Sequence, residues 1–153
     1  MYPHHTLEMP LEYRSPYIEL LLLMAGSDGD IVREELAVVE SYMGKLMIHP
    51  DERVILRSKL ESPRKYGDII KDLDKALLKL ALRDSIIVGI SDGVLEKKEI
   101  QFAKKLAKSG GVDEKTLSKI CDWAIDYTKQ EKFKNLGIVG ERISPLLTLS
   151  FED

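Results

Sequence analysis

One short motif occurs twice in this chain. Ser27-Asp28-Gly29-Asp30-Ile31-Val32-Arg33-Glu34-Glu35 returns 64 positions later as Ser91-Asp92-Gly93-Val94-Leu95-Glu96-Lys97-Lys98-Glu99. Both read S-D-G-x-(I/L)-x-x-x-E. Each follows a hydrophobic run (20–26 and 86–90), and each opens an amphipathic stretch. A repeated acidic turn between two helices is one helical unit stated twice, and such units bury their apolar faces against each other. The expected fold is therefore all-α: a single-domain bundle of about seven helices with an internal pseudo-two-fold repeat. The repeat also sets four carboxylates, Asp28, Glu35, Asp92 and Glu99, at equivalent places.

A chain of 153 residues, 44% apolar and 32% charged, is long enough to bury a core without staples. Its net charge of -3 gives no global pull toward nucleic acid. Cys121 is the only cysteine, so no intrachain disulfide forms, which points to a reducing compartment. The run 20–26 is too short to span a bilayer and is flanked by Glu19 and Asp28. Glu8 and Glu12 precede that run where a signal peptide needs basic residues. The expected location is cytoplasmic.

The first fifteen residues, with Pro3, Pro10, His4 and His5, read as an irregular arm. Ser15-Pro16 reads as a helix start, with a capping hydroxyl before a proline at the first helical position. A helix is expected from Pro16 to about Ser27, then a turn at Gly29. The next spans about Val32 to Met47, where Leu36, Val39, Met43, Leu46 and Met47 share one face. His49-Pro50-Asp51-Glu52 stops and restarts the chain, with His49 in a turn or capping role, for a helix to about Leu60. Glu61-Ser62-Pro63-Arg64 is the clearest linker. Beyond it comes a short helix from about Tyr66, an interruption near Asp74, and a helix to about Ile90. The stretch from Leu95 to Lys108 points Ile100, Ala103, Leu106 and Ala107 inward. Gly110-Gly111 ends it, Val112-Asp113-Glu114 restarts the chain, and a helix carries Leu117, Ile120, Cys121, Ala124 and Tyr127 on one side. No stretch keeps the period of two that a sheet needs. The expected organisation is an arm (1–15), a helical domain (16–128, units about 16–60 and 67–128) and an apolar tail (129–153) packed on the body.

The pattern D-G-x-(I/L)-x-x-x-E, opening a helix and occurring twice, resembles the TerB-like domain. That family takes its name from a tellurite-resistance protein, and related modules occur in a membrane-anchored J-domain co-chaperone. The resemblance covers about Pro16 to Tyr127. It implies an all-α, pseudo-symmetric fold, acidic residues proposed to bind divalent metal, and a role in stress-response or membrane-associated assemblies. The matching positions are Asp28, Glu35, Asp92 and Glu99.

The acidic turns admit three readings. In the first, they only fix helix starts: the aspartates meet open turn amides, and the glutamates bond backbone N–H groups near the positive helix end. A reciprocal capping box is not expected, because Val32 cannot cap and Glu96 is a poor cap. In the second, Asp28, Asp30, Glu35, Asp92 and Glu99 supply oxygens to a hard cation such as calcium, magnesium or manganese. Seven helical residues span roughly 10 Å, so Asp28 and Glu35 share an ion only if the turn folds back or the two copies meet. The first copy, with Asp30 beside Asp28, is the better ion site. Glycine directly after the aspartate excludes an EF-hand loop. In the third, the acids form ordinary surface pairs with Arg33, Lys97 and Lys98.

Catalysis has little support: paired carboxylates can do acid–base work, but no cleft chemistry accompanies them in the sequence. The chain has no glycine-rich phosphate loop, no G-x-S-x-G and no H-E-x-x-H. Cys121 reads as a structural thiol, and Trp123 and Tyr127 as core or groove residues. Lys97-Lys98 and Lys104-Lys105 form a basic stripe, with acids interleaved along the sequence, which reads as a solvated face. The expectation is a non-enzymatic scaffolding module with a protein partner. It allows a homo-oligomer or membrane association through that partner, and it expects no nucleic acid. A competing reading is a metal-independent module; a metal-dependent hydrolase is a third.

Overall fold

The structure, a computed structural model, describes residues 9–27, 29 and 32–135, with side chains through residue 130. Among these residues it forms seven helices and no strand. They are α1 (Leu11–Ala25), α2 (Arg33–Lys45), α3 (Pro50–Ser58), α4 (Tyr66–Lys71), α5 (Lys75–Gly89), α6 (Lys97–Gly110) and α7 (Glu114–Asn135). The all-α bundle expected from the repeated motif is what forms.

Helices α1 and α5 make the centre. Tyr17, Ile18, Leu20, Leu21, Leu22, Met24 and Ala25 of α1 are all buried, so this helix is covered nearly all round. Leu78, Leu80, Ala81, Leu82, Ile86 and Val88 of α5 are buried in the same way. The two run in the same direction: Tyr17 meets Asp84, and Met24 lies against Gly89 near their C-terminal ends. Helix α2 returns alongside α1, since Arg14 Nη1 donates to Leu46 O over 2.8 Å. Helix α6 returns alongside α5, with Gly110 against Leu78 and Glu99 against Gly89. Both acidic turns therefore emerge at one end of the central pair.

Local chemistry sets most boundaries. His49 Nδ1 accepts from Asp51 N (3.1 Å) and caps α3, with Pro50 in the first turn. Asp74 Oδ1 accepts from Leu77 N (2.8 Å) and caps α5, which is why α4 and α5 separate there. Asp113 Oδ1 accepts from Thr116 N (2.7 Å) at the start of α7.

Four details differ from expectation. Helix α1 begins at Leu11 and carries Pro16 inside it, with Ser15 Oγ donating to Glu52 Oε1 (3.1 Å) rather than capping. An interior proline costs ~3 kcal/mol; burial of seven apolar side chains along α1 outweighs it. Met47 does not join the α2 face: it is 73% exposed, with φ of 54°. Ile100 is 39% exposed rather than inward. Helix α7 continues through Asn135, so the first residues assigned to the tail are helical. The rest of that tail, His4 and His5 lie outside the described residues.

Candidate functional site at the duplicated acidic turns

The two turns carry the same backbone bonds. Gly26 N donates to Leu22 O and Ile90 N to Ile86 O, both over 3.0 Å. Ser27 Oγ donates to Met24 O (2.9 Å), and Ser91 Oγ to Val88 O (2.7 Å). Gly29 N donates to Gly26 O (3.1 Å), and Gly93 N to Ile90 O (2.8 Å). Gly29 and Gly93 have φ of 89° and 102°, a region closed to most side chains. That constraint is why glycine stands at both places.

Of the five acidic candidates, Asp28 and Asp30 lie outside the described residues. Asp92 is exposed, and its Oδ1 accepts from Val94 N (3.2 Å), an Asx turn. Glu99 is fully buried, and its Oε1 accepts from Glu96 N over 2.8 Å. The reciprocal half of the capping box is present as well. This corrects the expectation that the box is broken in the second copy: a glutamate at the cap position completes it. In the first copy Val32 offers no side-chain cap, as expected, and Glu35 is buried at the start of α2. A Cβ at Gly89 would lie 3.7 Å from the Glu99 carboxyl carbon and 3.5 Å from the Met24 sulfur. Glu99 is thus wedged between α6 and the central pair.

The second turn accordingly presents Asp92 and Glu99 as backbone acceptors rather than as an outward donor set. No group of three or more His, Cys, Asp or Glu among the described residues is arranged to hold a metal ion. Cys121 is half-buried, and burial, then the nearby Asp122 charge, push its thiol pKa up, away from a nucleophile's range.

Two features escaped the sequence reading. Fully buried Asp84 accepts from the Tyr17 and Tyr42 hydroxyls, the latter over 2.8 Å, and pairs with Arg83 Nη2 at 2.7 Å. Asp84 stands between Arg83 and Ser85 on α5, and no sequence signal announces partners 42 and 67 positions away.

The other is Met47. At the end of α2, Met47 N donates to Gly44 O and Ile48 N to Met43 O, the Schellman pattern. At the end of α6, Gly111 N donates to Lys108 O and Val112 N to Ala107 O, with Gly111 at φ of 75°. A methionine thus occupies, 64 residues earlier, the left-handed position that glycine fills at the end of α6. The helices that meet near Met47 also carry the exposed apolar residues Leu11, Val54 and Ile55. Arg14 Nε donates to Met9 O and its Nη1 to Leu46 O, which ties the start of α1, with Leu11, to the α2–α3 joint. Val54 and Ile55 follow on the exposed side of α3.

No family model, curated protein or solved structure matches the chain. No helix among the described residues is long and apolar enough to cross a membrane.

Proposed function

We propose that this chain is a non-enzymatic interaction module of the TerB-like kind, acting as a scaffold in a stress-response or envelope-linked assembly. Its two related helical units form the scaffold. A protein partner binds where α1, α2 and α3 meet, around Met47, Leu11, Val54 and Ile55.

Met47 carries this reading. A left-handed non-glycine residue costs about 1–2 kcal/mol, and this one is exposed, so packing does not compensate. Strain kept at an exposed apolar side chain is expected of a contact surface. Glycine at this position removes the strain and the contact together. Met47→Gly is expected to raise stability by about 1 kcal/mol in urea denaturation and to abolish partner capture by the immobilised protein, or self-association in sedimentation. A variant that is more stable and still binds fully would remove the reading.

In this proposal a divalent cation belongs to the first turn, where Asp28 and Asp30 flank Gly29. Calorimetric titration with calcium, magnesium and manganese is expected to give heat that Asp28→Asn abolishes. No heat and no change in melting temperature would leave the module metal-independent.

A further inference from the structure

The exposed side of α6 is a lysine face. Lys97, Lys98, Lys104, Lys105 and Lys108 are all exposed. At 3.6 residues per turn and 1.5 Å per residue they fall within an arc of about 120° along about 17 Å. None of the five forms an ion pair among the described residues. Lys105 Nζ lies 4.2 Å from the centre of the Tyr66 ring. Of the acids adjoining this helix, Glu96 and Glu99 form its capping box, Asp92 accepts from Val94 N in the turn before it and Asp113 caps α7, while Glu114 is exposed four residues beyond its end. Helix α2, which follows the other copy of the motif, exposes Arg33, Glu34, Ala37, Ser41, Gly44 and Lys45, with no such excess. The lysine face is therefore a property of α6 and not a requirement of this type of helix.

We propose that the outer face of α6 adsorbs directly to anionic lipid bilayers. Four to eight clustered cations on an amphipathic helix suit an anionic headgroup surface. Screening beyond about 10 Å at 0.1 M salt lets this local cluster act despite the chain's net charge of -3. The rim decides between lipid and nucleic acid. Ile100, 39% exposed, borders the stripe, and Val94, 56% exposed, lies three residues before the helix, so exposed apolar side chains accompany the lysines at its N-terminal end. The face carries no arginine and no exposed ring, the groups that read phosphate bidentately or stack on bases. This surface is separate from the apolar set around Met47, and the inference does not depend on that reading.

Co-sedimentation with phosphatidylserine/phosphatidylcholine vesicles tests it, with pure phosphatidylcholine vesicles and duplex DNA as the other arms. Binding to the anionic vesicles alone, weakened by salt, is expected. Each lysine lost is expected to weaken binding about fivefold, so a Lys97→Gln, Lys104→Gln, Lys108→Gln triple variant loses about a hundredfold. The pair Arg33→Gln and Lys45→Gln, on α2, is expected to leave binding unchanged. If the triple variant does not fold, Lys98→Gln and Lys108→Gln as single changes carry the test. Absent vesicle binding, binding indifferent to these lysines, or tighter binding to DNA would each overturn the proposal.

Discussion

Asp84 shows what one buried carboxylate asks of its neighbours. Taking a charge out of water costs several kcal/mol, and here two tyrosine hydroxyls and the Arg83 guanidinium offset that cost. The four groups come from α1, α2 and α5, so the cluster fixes how the three helices sit against one another. Asp84→Asn leaves Arg83 buried without its countercharge and is expected to cost about 3–5 kcal/mol in urea denaturation, the range for a broken buried pair. Tyr17→Phe removes one hydrogen bond to a charged group and is expected to cost about 1.5–3 kcal/mol. Burial first, and then the Asp84 charge, hold the Tyr17 and Tyr42 hydroxyls well above their ordinary pKa. A raised folded-state pKa stabilises the protein below the unfolded tyrosine pKa of about 10 and loses that contribution as pH rises beyond it. The urea midpoint is therefore expected to fall between about pH 8 and pH 11, and to fall less in a Tyr17→Phe, Tyr42→Phe double variant.

At the scale of elements, turn chemistry rather than helix propensity punctuates the chain. His49, Asp74 and Asp113 each offer a side-chain acceptor to a backbone N–H at a helix start. Glycine at φ of 89° and 102° lets the chain reverse after α1 and after α5. Gly93→Ala puts a Cβ into that left-handed turn and is expected to cost about 1–2 kcal/mol, read as a lower urea midpoint with unchanged slope. Asp92→Asn keeps the oxygen that accepts from Val94 N and is expected to change stability by no more than about 0.5 kcal/mol. Losses of similar size from both changes would mean that the Asp92 charge, and not its oxygen, matters to the turn.

Across the whole molecule, one buried acid ties the linker to the core. Glu19 of α1 accepts from Arg64 through both oxygens, at 2.9 and 2.8 Å, and from Lys59 at 3.1 Å, while Arg64 also reaches Asp72. Burial pushes the Glu19 pKa up, but the bonds from Arg64 and Lys59 outweigh it and hold the carboxyl below its ordinary value. A depressed pKa stabilises the fold above the unfolded value of about 4.3, and that contribution is lost as pH falls through the folded value. Glu19→Gln is expected to cost about 1–2 kcal/mol near neutral pH, because Arg64 and Lys59 remain partly solvated, and to flatten the acid limb of the stability profile. The amino-acid order by itself determined the helical class, the glycine turns, the stop at Asp74 and the cap at His49, because these depend on residues within a few positions of each other. Pro16 misled that local reading, since burial along α1 overrides a proline's cost. Ile100 and Met47 did so too, since periodicity cannot tell which neighbour fails to cover a face. Only the tertiary structure decided that Asp84 is a core residue, that the second turn's acids answer backbone N–H groups, and that the lysines of α6 stand clear of the acids beside them in sequence. Each of these depends on which groups meet across the bundle, and through-space partners fix a charge's role more strongly than its sequence neighbours do.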